Sequence, residues 1–182
     1  MERLFGPRGA YSGCWCAFYR MPRAEYSAAG NAGRKKVMRA AVARGPPPGL
    51  LAYEKGEPVA WVAIAPREET PVLDRSPVSR SPDGAPAWAI TCYFVRADKR
   101  GEGMMAKLTQ AAALYAKKEG ARLVEAFPVE RTDLAGCSGY TGVASTLAAC
   151  GFEEVARPTR NRVYMRREVT AGRTRARTRR AT

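Results

Sequence analysis

Apolar residues in this chain gather into short dense runs, punctuated by glycine, proline and charge, with a few stretches that show the three-to-four-residue recurrence of a helix face. The run at residues 87–95 (Ala-Trp-Ala-Ile-Thr-Cys-Tyr-Phe-Val) has the unbroken character of a strand covered on both sides. Residues 50–54 and 58–65 predict two strands joined at Lys55-Gly56 as a hairpin. Met104, Leu108, Ala111, Ala112 and Tyr115 recur at helical spacing, and Gly120 marks the stop. Residues 122–129 then predict a buried strand parallel to 87–95, reached by that crossover helix. A short helix at 143–150, the Gly151-Phe152 stop, and strands at 152–156 and 162–167 complete the order.

Nearer the start, residues 13–19 (Gly-Cys-Trp-Cys-Ala-Phe-Tyr) read as a first strand with thiols and aromatics packed inward. Residues 24–31 read as a connection and residues 32–44 as a helix, ended by Gly45-Pro46-Pro47-Pro48-Gly49. The proline-rich stretch 67–86 predicts a long loop of the kind that shapes a binding site.

The most telling juncture lies between residues 87 and 118. A strand runs into Arg100-Gly101-Glu102-Gly103-Met104-Met105 and then a helix, which aims unpaired N–H groups and the positive end of a helix dipole at one point. That arrangement suits a pyrophosphate. The spacing resembles the acetyl-CoA signature Arg/Gln-x-x-Gly-x-Gly/Ala of the GNAT N-acetyltransferases, read here as Arg100, Gly103 and position 105, where Met105 replaces the usual small residue. Residues 13–16 also resemble the opening of a bacterial subgroup of that family with a Gly-Cys-Trp-Cys segment.

The resemblance covers roughly residues 48–168 and implies an α/β fold. The expectation is one GNAT-like domain over residues 1–168, its mixed central sheet splayed between the fourth and fifth strands and flanked by helices. It implies acetyl-CoA as cosubstrate and an amine acceptor, with no metal. The implied donor site comprises the backbone of Gly101, Glu102, Gly103, Met104 and Met105, the Arg100 side chain, and strand amides near Tyr93 and Val95. One of those amides would hold the developing oxyanion. The stretches at 32–44 and 67–86 would border the acceptor pocket. The favoured acceptor is a small-molecule or antibiotic-like amine, ahead of a protein lysine or N-terminus. The alternative is a non-catalytic module that binds acyl-CoA or associates with nucleic acid.

Composition permits this without selecting it. At 182 residues and 46% hydrophobic the chain can bury one core. No apolar run reaches membrane-spanning length, and the first residues lack the order of a signal peptide, so a cytoplasmic protein with no membrane partner is expected. Exposed edge strands suggest a monomer or homodimer. Five cysteines, an odd number, read as reduced thiols. Cys14-x-Cys16 lacks the spacing of a usual zinc pair, and the chain has no histidine to complete one. The formal charge is +14, and ten arginines against one acid lie from Ala156 onward. Most of the excess is thus expected outside the compact body, ending in a basic, apolar-poor tail at 169–182 with the composition of an unstructured segment. It could contact phosphates, but without interleaved aromatics it offers no specific nucleic-acid readout.

Amine acetylation needs an acceptor nitrogen with a free lone pair. The absence of histidine removes the commonest base and the triads built on it. Glu125, alternating with Leu123 and Phe127 on a central strand, is the leading carboxylate for the task, because burial raises a carboxyl pKa. Its alternative role is to tie down a neighbouring loop or orient substrate. Glu68, Glu69 and Asp74 are weaker candidates, being loop residues. Many GNAT enzymes keep a tyrosine acid in the late helix, four residues before Gly-Phe, and here that position is Leu147. Tyr140, in the Ser138-Gly139-Tyr140-Thr141-Gly142 turn, could reach the same region. Cys92 and Cys150 read as core residues.

Overall fold

The computed structural model describes residues 1–130 and 138–169. Six strands form one mixed sheet in the order β1-β2-β3-β4-β6-β5. They are β1 (Gly49–Glu54), β2 (Glu57–Pro66), β3 (Trp88–Val95), β4 (Leu123–Ala126), β5 (Glu153–Thr159) and β6 (Arg162–Glu168). Four helices accompany them: α1 (Glu2–Phe5), α2 (Arg23–Arg44), α3 (Met104–Lys118) and α4 (Ala144–Ala149). Among the described residues no helix is long and apolar enough to cross a membrane.

The β1–β2 hairpin forms where expected. Lys55 and Gly56 both take positive φ, 49° and 79°, the pair that a two-residue primed turn demands. β2 is buried from Pro58 to Ala65, so it needs cover on both faces, and alternation divides that cover. Ala60, Val62 and Ile64 pack with Leu108, Ala112, Ala113 and Ala116 of α3. Trp61 and Ala63 pack on the opposite face with Phe5, Trp15, Met38 and Ala41. Each fully buried large apolar side chain contributes about 1.5–3 kcal/mol, so this two-sided strand anchors the fold.

A bulge in β3 positions everything that follows. Ala63 pairs with Cys92 but Ile64 pairs with Ile90, leaving Thr91 as an extra residue. The faces therefore exchange across it: Trp88 and Ile90 pack with α3 before the bulge, and Tyr93 and Val95 after it. The parallel partner β4 matches β3 only at Trp88, Ala89 and Ile90. Beyond that the two strands part, and the chain after β4 turns away, with Val129 bridging Val143 and Arg162.

Several sequence expectations change. Residues 13–19 form no strand, so the splay falls between the third and fourth strands of the sheet. Trp15 and Cys16 have positive φ, 47° and 52°, between single turns at Tyr11–Gly13 and Phe18–Arg20. Trp15, Cys16 and Ala17 are buried in succession, and the left-handed backbone at Trp15 and Cys16 makes the segment a coil wedged against α2 and β2 where a strand needs extended residues. Trp15 Nε1 donates to Asn31 Oδ1 at 2.7 Å, fixing the wedge. α2 begins at Arg23, well before residue 32, and continues through a non-helical Gly30. The loop at 67–86 contains short turns at Arg67–Glu69 and Pro71–Arg75.

The charge also redistributes. Only five of the 31 Lys and Arg lie beyond Val169, against none of the 17 Asp and Glu, so the body keeps +9 of the formal +14. Two of the late arginines that precede Val169 are tied into the body: Arg157 pairs with Glu130 and Glu154, and Arg166 with Asp83. Val169 is itself buried and its N–H donates to Arg122 O at 3.0 Å. The remainder of the expected tail lies outside the described residues.

Candidate active site

Where β3 and β4 separate, a cavity of about 2170 Å³ opens, walled by the end of β3, the start of α3, the turn at Ser138–Thr141 and the N-terminal segment. The volume exceeds that of most small-molecule pockets, room enough for a cofactor-sized molecule and a second reactant.

One wall is bare strand edge. The Arg96 N–H donates to Val59 O at 3.0 Å, toward β2. Alternation along an antiparallel pair then turns the N–H groups of Phe94 and Cys92 toward β2, and those of Val95 and Tyr93 toward the cleft. The Arg100 Nε contact to Val95 O, 3.3 Å, places that carbonyl on the same side. The Tyr93 side chain has a different task. It is buried, and its hydroxyl lies 2.7 Å from Thr109 Oγ1, which donates to Met105 O at 2.8 Å. The strand edge and the first turn of α3 are thereby held in one frame. Gly142, at φ 101°, lets the late turn close on this frame, since a Cβ there would lie 3.1 Å from the Tyr93 ring and 3.0 Å from Leu147.

The second wall is the cradle itself. Gly101 and Gly103 have φ of 82° and 70°, left-handed values that favour glycine. The space where a Cβ would project from each is open. Gly103 caps a fifteen-residue helix with no acid in its first turn, so unpaired N–H groups and a helix dipole converge here. Arg8, Lys99 and Arg100 add positive charge to the cavity wall. These donors and cations fit a pyrophosphate-bearing ligand. Met105 packs its side chain against the core and leaves its backbone at the cradle.

Of the residues expected from sequence at the donor site, Tyr93, Val95, Arg100, Gly101, Gly103, Met104 and Met105 line the cavity. Glu102 does not; its half-exposed carboxylate lies 3.7 Å from Lys99 Nζ, which is also 2.6 Å from Glu54. Tyr140 lines the cavity, and its hydroxyl is 3.3 Å from that of Tyr19. Tyr19 was hidden from sequence reasoning by the strand assigned to residues 13–19. The one signal for it is Pro22, which precedes α2 and places Tyr19 on the approach to a helix. Burial, reinforced by Tyr140, pushes the Tyr19 phenol well above its usual range, so it stays protonated. Leu147 is fully buried in the core.

Glu125 is elsewhere. It is fully buried on the sheet face away from α3, and does not line the cavity. One carboxylate oxygen accepts from Arg67 Nη1 and the other from the Tyr164 hydroxyl. Arg67 Nη2 also donates to Asp74 at 2.6 Å and to Ser79 O at 2.7 Å. Arg166 Nε lies 3.9 Å from Glu125, while its Nη1 and Nη2 each donate to Asp83 at 2.7 Å. Burial raises the Glu125 carboxyl pKa, while Tyr164 and Arg67 act to lower it. The cluster ties both ends of the 67–86 loop to the sheet.

No aspartate or glutamate lines the large cavity among the described residues. Cys14 and Cys16 on its wall are poor nucleophiles: contact with Cys16 and burial push Cys14 far up, and contact with Cys92 and burial outweigh Cys14 in doing the same to Cys16.

Comparison with known proteins agrees with this geometry. The Acetyltransferase (GNAT) family model matches residues 15–138. The chain belongs to the GNAT acetyltransferase family and is by class an N-acetyltransferase. Among solved structures, a GNAT-family protein from Desulfovibrio desulfuricans, assigned as an acetyltransferase, superposes with a TM-score of 0.50 at 15% identity, over 82% of this chain and 84% of that one. The ribosomal-protein-alanine N-acetyltransferase of Brucella melitensis gives a TM-score of 0.50 at 15% identity, over 76% and 78%. At that identity the likeness is one of fold. No curated protein matches the chain.

Proposed function

We propose that this protein transfers the acetyl group of acetyl-CoA to the primary amine of a small molecule by direct attack within a ternary complex. The observation that carries this reading is a single cavity running from the glycine cradle of α3, along the free edge of β3, to the Tyr19–Tyr140 pair. The donor supplies a thioester, an acyl group already activated toward amines. The backbone of residues 101–105 and the Arg100 side chain bind its pyrophosphate. The free β3 amides at Tyr93 and Val95 pair with the pantetheine arm as an added strand would, and one donates to the acetyl oxygen as charge develops there.

With no carboxylate on the described cavity wall and no histidine in the chain, the ammonium proton leaves through water. Tyr140 returns a proton to the departing thiolate, supported by the protonated Tyr19 hydroxyl. Glu125 is assigned the positioning role, holding the 67–86 loop through Arg67. Residues 170–182 are an extension that the transfer does not need.

The test is thiol release from acetyl-CoA with a panel of amines, alongside calorimetry with coenzyme A. Turnover with at least one amine and saturable coenzyme A binding are expected. Tight coenzyme A binding with no turnover of any amine would refute the catalytic reading, and no binding at all would refute the cradle.

A further inference from the structure

Resting on that acetyl-transfer reading, we propose that the acceptor carries an oxyanion as well as its amine, and that Arg23, Arg75 and Arg162 bind this anion beside the catalytic cavity. The first ground is the wall of the large cavity. Its charged side chains are Arg8, Lys99 and Arg100, and among the described residues no carboxylate faces it. With those cations taken up by the phosphates of acetyl-CoA, the wall offers a polycationic amine no counter-charge of its own.

The second ground is a smaller cavity of about 360 Å³ that shares Phe18 and Tyr19 as a common wall with the large one. Three arginines line it from three separate elements: Arg23 at the start of α2, Arg75 in the 67–86 loop and Arg162 at the start of β6. Arg162 donates to Thr141 Oγ1 at 2.8 Å, one residue from Tyr140. Among the described residues no carboxylate pairs with any of the three. Arg162 is half-buried and Arg23 and Arg75 are exposed, open to a ligand, whereas the buried Arg67 and Arg166 and the largely buried Arg20 are already paired, with Asp74 and Glu125, with Asp83 and with Glu69. Three arginines lining one concavity offer an anion more donors than any one of them alone, and their forked N–H groups match a carboxylate or a phosphate.

The rest of the lining suits a short organic molecule. Val72, Val78 and Phe127 give it apolar contact. Its loop wall is held in place through the Arg67 bond to the Ser79 carbonyl, 2.7 Å and buried, which links Glu125 to the shape of this pocket. An acceptor spanning both cavities lays its amine near Tyr19 and Tyr140 and its anion on the far side of the Phe18–Tyr19 wall. A straight-chain amino acid meets that requirement.

The test compares matched acceptors on the full chain: 6-aminohexanoate against hexylamine, and phosphoethanolamine against ethanolamine. An anionic member is expected to show kcat/KM roughly 10- to 100-fold above its neutral counterpart, the scale of hydrogen bonds to a charged group. The two pairs separate a carboxylate from a phosphate source. Arg75→Gln and Arg162→Gln are expected to raise KM for the anionic acceptor by a similar factor and so to remove its advantage over the neutral counterpart. Calorimetric titration with 6-aminohexanoate in the presence of coenzyme A should lose its signal in the same variants. Equal turnover of charged and neutral members, or variants that slow both alike, overturns this inference alone. No turnover of any amine overturns acetyl transfer itself.

Discussion

Replacing Glu125 by Gln separates a buried tether from a catalytic base. The wild-type carboxylate is fully buried, takes bonds from Arg67 and Tyr164, and has Arg166 Nε at 3.9 Å. Gln keeps an acceptor for one of the two donors but removes the charge that neutralises Arg67, whose side chain is 9% exposed. Stranding a buried charge costs about 3–5 kcal/mol. Here Asp74, itself 61% exposed, still pairs with Arg67, so the expected loss is smaller, about 2–3 kcal/mol. For a chain of this size that corresponds to a melting point lower by about 4–12 °C. Urea unfolding reads the free energy and thermal melting the shift. Arg67→Met, which leaves the carboxylate buried without its cation, should cost more, and the double variant less than the sum of the two. At temperatures where the variant is folded, kcat should stay within about 10-fold of wild type, with a higher acceptor KM as the loop wall loosens. Unchanged stability together with a loss of about 1000-fold in kcat, and disappearance of the acidic limb of the pH–rate profile, would refute the tether and make Glu125 the base.

Three further outcomes follow from the same geometry. Tyr140→Phe should lower kcat by about 100-fold with little effect on coenzyme A affinity, because it removes a proton donor and leaves the cradle intact; steady-state kinetics and calorimetry together check this. Two hydrogen bonds from Arg166, aided by the Ala85 N–H, hold the Asp83 carboxyl well below the ordinary aspartate value of 3.8. A depressed folded-state pKa gives stability that is present above the unfolded value and lost as pH falls below about 4, so Asp83→Asn should flatten the acid side of the stability–pH curve. Truncation after Val169 should leave melting temperature and turnover unchanged, whereas truncation before it removes a buried side chain and its bond to Arg122 O and should destabilise the body.

Much of the frame was legible. The β1–β2 hairpin was readable because Lys55-Gly56 is a turn with a mechanism, and α3 because its apolar positions repeat at one period. The cradle was readable because it is local: strand end, glycines and helix start are consecutive. Residues 13–19 misled because dense apolar composition carries no information on backbone twist, and burial of Trp15, Cys16 and Ala17 in succession is set by what packs around them. The late arginines misled for a related reason. Their charges looked like an appended tail until pairing placed Arg157, Arg166 and Arg167 within the sheet.

What the chain alone determined is whatever depends on neighbours in sequence: which segments extend, which coil, where the backbone must turn left-handed, and that no imidazole is available for proton transfer. Tertiary structure decided which groups from distant segments meet. It paired Glu125 with Arg67 across 58 positions and turned that carboxylate away from the cavity. It brought Tyr19 to Tyr140 across 121 positions. Charge pairing and cavity walls depend on distances in space, and such distances are fixed only when the sheet order and the Thr91 bulge have set which faces oppose one another.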